Sequence, residues 1–537
     1  MKGTYYKYFL YLCGKYNHVM TIQQLYQLYR EHPCITTDSR DCPQGSIFIA
    51  LKGESFDGNK FALSALEKGC AYAIVDDPSL FSTPKGTLNL EPETLNLEPG
   101  TLNPPLSPSG ESEGGLNLES EGDLTSHKDV QSMASQSMNS SICENLCKSV
   151  GNLNQASGLI LVPDCLQTFK DLAREHRRQF DIPVIGITGT NGKTTTKELI
   201  AAVLQQQYNV LFTQGNFNND VGVPKTLFRL NDSHEIAVIE MGASHPGDIK
   251  TLVETAEPTC GLITNVGRAH LQGFGSFEGV KRTKGELYDF LRKQMEKGSF
   301  DDGMVFINAD DSDLQQMADE RGLILQSAYG TGTSDDIVVK GEVLACDPFL
   351  RFSWHIHDEE EGDTEPFTVQ TQLIGAYNIY NMLAAITVGL YFDVEPALIN
   401  KALHDYTPSN NRSQLTVTDN NRLIVDAYNA NPSSMRVAID NFRQMQVDHK
   451  MAILGDMREL GEASAEEHQR IADMLLDCHF EQVWLVGDEF ARTNTPFRTF
   501  HDVEEVKTAL RDHQPHGCHI LIKGSNSLRL YQLPELL

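Results

Sequence analysis

The chain contains 537 residues, with 44 lysines and arginines against 73 aspartates and glutamates, and its formal net charge is −29. A chain of this length is too long to fold around one hydrophobic core and is expected to form about two to four domains. Nucleic acids and anionic membranes repel so acidic a surface, so we exclude a generic binder of either. An anionic ligand needs a local basic pocket on this protein.

Eleven cysteines are spread along the chain without a CxxC pair or the even spacing of a secreted disulfide framework. We therefore expect free thiols, no structural zinc site and a cytoplasmic location.

The first residues, MKGTYYKYFLYLCGKYNHVM, do not have the pattern of a targeting segment. Lys15 interrupts the apolar stretch, and large residues precede Cys13 where a cleavage site requires small ones. No stretch reaches the roughly 20 apolar residues of a membrane helix, so no membrane insertion is predicted. The amphipathic segment MTIQQLYQLYREH begins at Met20, so the residues before it are interpreted as an extension or a misplaced start.

Residues 84–157 differ in composition from the rest of the chain, with TLNLEP present twice and an excess of Ser, Gly, Glu and Asn. Such a sequence buries too little apolar surface to fold alone, so it is predicted to be a disordered insertion. The strand-like segments AYAIVDD before it and GLILVPD after it are predicted to be neighbours in one structure. A tail that binds a partner is the alternative to a tolerated loop expansion.

Beyond Pro183, short β-rich runs alternate with helical patterns, which predicts a parallel sheet covered by helices on both faces. The runs are VIGIT, IAVIEMG, GLITNVG and MVFINAD. Residues 335–372 alternate apolar and polar positions and are predicted as antiparallel strands, followed by the helix YNIYNMLAAITVGLYF.

A second α/β series begins near Arg412 with the runs RLIVDAYNA, KMAILGDM, QVWLVGDE and HILIKGSN, each ending in a Gly, Asp or Asn loop. Ligands of open α/β sheets bind beyond the carboxyl ends of the strands. Two such domains therefore predict a cleft.

The segment GITGTNGKTTTKELIAAVL, from residue 186 to residue 204, places a glycine-rich turn between a β-run and an amphipathic helix. Its backbone N–H groups and the helix N-terminus are suited to phosphate oxygens, Lys193 to the β- and γ-phosphates and Thr194 to Mg²⁺. A strict P-loop has glycine where this chain has Ile187, so the loop is a variant. An ordinary strand-to-helix turn is the alternative interpretation.

Two polar side chains follow other strands of the same predicted sheet. Glu240 ends IAVIE and His270 follows ITNVGRA. A lone glutamate there is usually solvated and a lone histidine usually a hydrogen-bonding group, but beside a phosphate loop both suit a metal ion. Lys284, in the charged helix KRTKGELYDF, is by periodicity alone a solvated residue.

Taken together, these motifs resemble the Mur ligases of peptidoglycan synthesis. The resemblance is carried by GTNGKTTTKE, EMGASHPGDI, ITNVGRAHLQGFGSFEGVKRTKGE, NADD, GAYNIYNMLAA, DAYNANPSSMR, LGDMRELGE and the terminal KGSNS. It covers the chain except residues 1–19 and 84–157.

The resemblance implies an α/β protein of three domains. These are a UDP-substrate-binding domain over residues 20–175, a central P-loop-type mononucleotide-binding parallel sheet over 176–407, and a Rossmann-like carboxy-terminal domain over 408–537. In the first domain, TTDSR implies that Ser39 and Arg40 contact the substrate, because a hydroxyl and a guanidinium suit a pyrophosphate or uracil edge.

The resemblance also implies ATP and two Mg²⁺ ions as cofactors. The nucleotide-binding residues that it implies are Gly189, Thr190, Asn191, Gly192, Lys193, Thr194, Thr195, Asn308, Asn378, Arg412 and Asp426. The implied metal ligands are Thr194, Glu240, His270 and, if carbamylated, Lys284. Carbamylation turns the lysine cation into an anion that can position Mg²⁺. The implied catalytic residues are Lys193, His270, Lys284 and Arg412.

Further polar residues are implied to bind the acceptor and the dipeptide. They are Asn218 and Asn219 in QGNFNNDVG, then Tyr428, Asn429, Asn431, Lys523 and Ser525, with the loop 456–461 shaping the dipeptide pocket.

The implied activity is ATP-dependent amide formation through an acyl phosphate, by a monomer. The motifs are most similar to the family member that joins D-alanyl-D-alanine to UDP-N-acetylmuramoyl-tripeptide. One alternative is the member that adds the third amino acid, whose diaminopimelate variants carry Asn-Pro-Arg where this chain reads GDMRELGE. The other is a nucleotide-binding regulatory protein with a decayed site.

Overall fold

The computed structural model describes residues 20–53, 55–81, 158–296, 304–358, 362–408 and 414–537. The chain separates into two compact units, Met1–Thr168 and Phe169–Leu537. The predicted insertion 84–157 and the predicted extension 1–19 lie outside the described residues.

The first unit is built on a four-stranded parallel sheet of order β1-β2-β3-β4. Its strands are β1 Ile35–Thr36, β2 Ile47–Ile49, β3 Tyr72–Val75 and β4 Leu159–Leu161. Its helices are α1 Ile22–Glu31 and α2 Ala62–Glu67. Helix α1 begins where the amphipathic segment predicts, because Thr21 and Gln24 form a reciprocal capping box. The predicted proximity of AYAIVDD and GLILVPD is confirmed, since Ala73 pairs with Leu159.

Helix α3, Cys165–Arg177, leads into a nine-stranded sheet of order β13-β12-β11-β10-β9-β8-β5-β7-β6. Its strands are β5 Val184–Thr188, β6 Val210–Phe212, β7 Ile236–Glu240, β8 Cys260–Ile263, β9 Val305–Asn308, β10 Gln326–Gly330, β11 Ile337–Cys346, β12 Phe349–Ile356 and β13 Phe367–Ile374. Strands β5 to β11 pair in parallel, whereas β11, β12 and β13 pair antiparallel. Both the parallel sheet and the antiparallel extension are therefore confirmed.

Helices cover both faces of the nine-stranded sheet. They are α4 Lys193–Leu204, α5 Gly222–Leu227, α6 Asp248–Ala256, α7 Leu271–Phe274, α8 Phe277–Glu296, α9 Ser312–Asp319, α10 Ile379–Tyr391 and α11 Pro396–Asp405. Alternate residues of β5 face opposite cores: Ile185 and Ile187 pack with α4 and α10, whereas Val184 packs with α6 and α8. Burial on both faces is why these strands are almost wholly apolar.

The remainder of the second unit is a six-stranded sheet of order β14-β15-β19-β16-β17-β18. Its strands are β14 Gln414–Val417, β15 Arg422–Asp426, β16 Lys450–Gly455, β17 Gln482–Val486, β18 Arg498–Phe500 and β19 His519–Lys523. Its helices are α12 Pro432–Gln444, α13 Ser464–Leu476, α14 Asp488–Ala491 and α15 Val503–Asp512. Only β14 pairs antiparallel within this sheet.

Three sheets thus correspond to the three predicted α/β domains. The boundaries at residues 175 and 407 stay predictions, because compactness divides the described chain only once, after Thr168. Among the described residues, no helix is both long and apolar enough to cross a membrane.

Candidate active site

The glycine-rich turn joins β5 to α4, as the sequence predicts. Gly189 and Gly192 have φ angles of 143° and 81°, which favour glycine. A Cβ atom on Gly189 would lie 2.0 Å from Oγ1 of Thr264, so the backbone also approaches its neighbour too closely for a side chain. The turn therefore presents its backbone N–H groups at the start of α4, where the helix dipole favours an anion.

Lys193 and Thr194 occupy the first turn of α4 and point in different directions. The Lys193 ammonium donates to the carbonyl oxygens of Gly189 and Thr190 at 2.8 and 2.9 Å, so it lies over the turn. Thr194 is buried, and its hydroxyl donates to Oε1 of Glu240 at 3.1 Å. Thr195, which follows them, is half-buried.

Glu240 is fully buried at the carboxyl end of β7, beside β5. Its Oε1 accepts hydrogen bonds from Thr194 and, at 2.8 Å, from the side-chain amide of Asn218. Its Oε2 has no hydrogen-bond partner among the described residues. A buried carboxylate oxygen without a donor is costly unless a cation meets it, so Glu240 and Thr194 fit a Mg²⁺ ion.

Within the described ranges, no three His, Cys, Asp or Glu side chains form a group that could hold a metal ion. Mg²⁺ is usually bound by one or two carboxylates together with water and substrate phosphates.

Residues 264–267 after β8 hold the turn, a role that was not predicted from the sequence. The Asn191 N–H donates to Oδ1 of Asn265, while the Asn191 carbonyl oxygen accepts from Thr264 Oγ1 and Asn265 Nδ2. Thr190 Oγ1 accepts from the Gly267 N–H at 2.9 Å. Because TNVG looks like an ordinary loop, only its place at the end of a strand beside β5 could have indicated it.

His270 and Lys284 lie near enough to Lys193 for its charge to act on both. Burial lowers the pKa of His270; the Glu459 carboxylate acts in the opposite direction, and the Lys193 and Lys284 ammoniums lower it further. Burial, with Lys193, lowers the pKa of Lys284 well below its ordinary value. Lys284 is therefore not the solvated residue that periodicity predicts: that prediction is wrong, because the residue lies on the face of α8 packed against the sheet.

Lys284 has no hydrogen bond or ion pair with the rest of the described chain. Its ammonium lies 5.6 Å from the centre of the Phe274 ring. A buried amine that has no hydrogen bond or ion pair favours its uncharged form. Only the uncharged amine can react with carbon dioxide to form a carbamate.

Asn308 and Asn378 are buried, and both are engaged within the protein. Oδ1 of Asn308 accepts from the Asp310 N–H at 3.1 Å. The Asn378 amide donates to the Ile374 carbonyl oxygen and accepts from Asn381, which also accepts from Thr196 on α4. Asn378 thus supports the helix that carries the turn, and nucleotide contact by either residue stays a prediction.

Lys523, at the end of β19, is buried between two predicted site residues. Its ammonium lies 2.5 Å from Oδ2 of Asp426 and 3.2 Å from the carbonyl oxygen of Asn429. Asp426 also lines a small cavity with Tyr377, Asn441 and Phe442. The Lys523–Asp426 pair therefore joins the ends of β15 and β19.

The remaining predicted polar residues have mixed surroundings. Ser525 donates to the Asp456 carbonyl oxygen, and Asn219 accepts from two backbone N–H groups at the start of α5. Tyr428 is partly exposed.

Asn431 caps α12 and donates through Nδ2 to Oδ1 of Asn191 at 2.8 Å. This hydrogen bond joins the six-stranded sheet region to the glycine-rich turn.

Three further residues are predicted to belong to the site. Arg412 lies in 409–413, outside the described residues. Ser39 and Arg40 belong to the first unit, where the exposed Arg40 guanidinium pairs with Asp38 at 2.7 Å and the Ser39 carbonyl oxygen accepts from Lys68.

Comparison with known protein families gives three matches along the chain. Residues 33–91 match the Mur ligase family catalytic domain, residues 187–389 the Mur ligase middle domain, and residues 411–526 the Mur ligase glutamate ligase domain.

Similar curated proteins cover almost the whole chain. The UDP-N-acetylmuramoyl-tripeptide–D-alanyl-D-alanine ligase of Bacillus subtilis is 28% identical over 512 residues, which are 93% of this chain and 92% of the relative. The protein of the same name from Escherichia coli is 28% identical over 514 residues, 94% of this chain and 93% of the relative.

Solved structures show the same fold. MurF from Acinetobacter baumannii superposes with a TM-score of 0.71 at 25% identity, covering 94% of this chain and 96% of that chain. MurF from Thermotoga maritima in complex with ADP has a TM-score of 0.69 at 22% identity, with the same coverage, and shows the fold alone. The three domain matches and the near full-length relatives together show that this chain belongs to the Mur ligase family.

Proposed function

We propose that this chain is an ATP-dependent ligase that joins D-alanyl-D-alanine to UDP-N-acetylmuramoyl-tripeptide through an acyl phosphate. The observation that carries the proposal is the turn from Gly189 to Lys193, set beside the buried and incompletely bonded Glu240. The names of the curated relatives support the same substrates.

The reaction needs activation because direct amide formation would expel hydroxide. A tripeptide carboxylate oxygen attacks the γ-phosphorus, the bond to the β,γ-bridging oxygen breaks, and ADP leaves. The D-alanyl-D-alanine amine then attacks the acyl carbon, and phosphate leaves as the amine loses a proton. No covalent enzyme intermediate is required.

The residues at the turn would offset the repulsion between two anions, the tripeptide carboxylate and the triphosphate of ATP. The backbone N–H groups of residues 189–194 and the Lys193 ammonium would hold the triphosphate. Arg412 is assigned to the same phosphates by the family resemblance. Thr194, Glu240 and His270 would hold Mg²⁺, which would neutralise further phosphate charge.

The assignment of Lys284 as a carbamate is supported by its burial without a hydrogen-bonding partner in the described chain. The modified side chain would place an anion beside Lys193 and His270, in addition to the Glu459 carboxylate that contacts the histidine. Isotope-labelled bicarbonate should give a carbamate signal in the wild-type protein that is absent from Lys284→Arg.

The binding of the other substrates is assigned residue by residue. Ser39 and Arg40 would bind the UDP end, Asn218 and Asn219 the acceptor carboxylate, and a set at the ends of β15 and β19 the dipeptide. That set is Tyr428, Asn429, Asn431, Lys523 and Ser525. The three domains at 20–175, 176–407 and 408–537, a monomeric state and a cytoplasmic location belong to the same proposal.

Mass spectrometry of the product tests the proposal. The protein is incubated with ATP, D-alanyl-D-alanine and a UDP-tripeptide whose third residue is diaminopimelate or lysine. We expect a UDP-pentapeptide with equimolar ADP, formed only when both substrates are present.

The alternatives give other results in the same assay. A ligase for the third amino acid would instead extend a UDP-dipeptide with free diaminopimelate or lysine. A regulatory protein would bind ATP without turnover. Either result would contradict the proposed function.

A further inference from the structure

The loop after β16 reaches from the six-stranded sheet to His270. The Glu459 carboxylate contacts Nδ1 of His270. The backbone makes a second connection, because the Gln272 N–H donates to the Glu459 carbonyl oxygen at 3.4 Å. The loop is therefore seated on α7, immediately after the histidine.

Both residues adopt a backbone conformation that is uncommon outside glycine. The φ angles are 51° at His270 and 63° at Glu459. Such conformations persist where surrounding contacts enforce them. Next in the loop, Gly461 has a φ of 57° and packs against Gln272, with 3.4 Å between its ideal Cβ position and Cβ of Gln272.

Two cations and one carboxylate act on the His270 ring. Lys193 and Lys284 are the neighbouring cations, and Glu459 is the carboxylate that meets the ring. A neutral imidazole carries one N–H, and a carboxylate acceptor at Nδ1 holds that proton there. The other nitrogen, Nε2, then has a free lone pair.

We propose that Glu459 is a positioning residue that orients His270 and holds the proton on Nδ1, so that Nε2 can bind a divalent cation. Metal-binding histidines generally donate their second ring nitrogen to a carboxylate or a carbonyl oxygen. The proposal rests on the proposed function, since it deepens the assignment of His270 as a metal ligand.

Glu459 and His270 belong to different sheet regions of the second unit. His270 follows a strand of the nine-stranded sheet, whereas Glu459 belongs to the six-stranded sheet region. The orientation of the metal ligand therefore depends on the seating of a loop from another sheet.

Binding of Mn²⁺ to the full-length protein in the presence of ADP, followed by electron paramagnetic resonance, tests the proposal. Glu459→Ala should weaken Mn²⁺ binding about 10- to 100-fold, the usual range for loss of such a partner. Glu459→Gln retains an acceptor oxygen and should recover most of the affinity. Glu462→Ala removes an exposed charge from the same loop and should bind Mn²⁺ as the wild type does.

A double-mutant cycle separates positioning from direct ligation. In a His270→Ala background, Glu459→Ala should cause no further loss of Mn²⁺ affinity, because the carboxylate acts through the ring. Unchanged affinity in Glu459→Ala, or an equal loss with and without His270, would overturn the proposal. If instead the wild type binds Mn²⁺ but makes no UDP-pentapeptide, the proposed function fails and the positioning role does not.

Discussion

The side-chain amide of Asn431 donates a hydrogen bond to Oδ1 of Asn191, with 2.8 Å between the two atoms. Asn191 belongs to the turn that follows β5, and Asn431 caps α12. A second contact runs beside it, from the Arg268 N–H to Oγ of Ser433 at 3.3 Å. The start of α12 is thus tied directly to the predicted phosphate site.

Replacement of Asn431 should separate its two tasks. Asn431→Ser keeps an oxygen that can cap α12 but loses the donor to Asn191, so kcat/KM for ATP should fall about tenfold while stability is retained. Asn431→Ala loses both and should also lower the free energy of unfolding by about 1 kcal/mol. Steady-state kinetics and urea unfolding measure these effects. Full activity in Asn431→Ser would show that the bond to Asn191 is incidental.

Removal of the Lys193 ammonium should abolish catalysis and preserve substrate binding. Lys193→Ala is expected to lower UDP-pentapeptide formation by about 10³-fold or more, because a cation is lost from a phosphoryl-transfer site. Binding of the UDP-tripeptide should stay detectable by calorimetry. Lys401→Ala, at an exposed lysine of α11, is the control and should be fully active. Full turnover by Lys193→Ala would refute the role of the turn.

Neutralisation of Glu240 should affect metal binding and not the fold. Glu240→Gln keeps the acceptor for Thr194 and Asn218 and removes a buried charge, so the apoprotein should unfold at an unchanged or higher temperature. The extra stabilisation that Mg²⁺ adds to ADP binding should disappear. Thermal unfolding with ADP, in the presence and absence of Mg²⁺, measures both.

Glu235→Gln is the control for this experiment, because Glu235 is exposed next to the start of the same strand. It should respond to Mg²⁺ as the wild type does. A normal Mg²⁺ response in Glu240→Gln would exclude a metal at the unpaired carboxylate oxygen.

His176 should make the protein less stable in mild acid. Its ring is buried against Phe228 and donates to the Leu230 carbonyl oxygen, and burial lowers its pKa from the ordinary value of 6.5. The unfolded chain therefore binds the proton first as pH falls, and stability is lost from about pH 6.5 down to the lowered pKa of the folded state. Unfolding in urea across this range should give a steeper loss for the wild type than for His176→Gln. Equal slopes in the wild type and in His176→Gln would contradict the prediction.

Periodicity and turn residues predicted most of the long elements, because strands buried on both faces have strongly apolar sequences. The short strands β6 and β18 were not predicted, since three residues carry too little pattern. Strand order was not predictable either: β5 lies between β7 and β8, and such pairing depends on contacts between distant segments.

At the site, too, residues within a local motif could be predicted from the sequence, whereas residues that act on distant parts of the chain could not. Lys193 and Thr194 follow from a local spacing of glycines, whereas Lys284 was identified only through family resemblance. Asn265 and Glu459 carry no local signal, because each acts on a residue far away in sequence. The role of Asn265 becomes visible once β5 and β8 are placed side by side, and that of Glu459 once the two sheets are described together.

The parallel pairing of Ala73 with Leu159 has a consequence for how this protein can vary. The register of β3 and β4 is set by the paired backbones, so it places no demand on the number of residues between them. In general, the entropy lost on closing a loop grows only logarithmically, by about 0.6 kcal/mol for each doubling of its length. Evolution can therefore lengthen or shorten the chain at this position, and a protein engineer could graft a reporter there, at little thermodynamic risk.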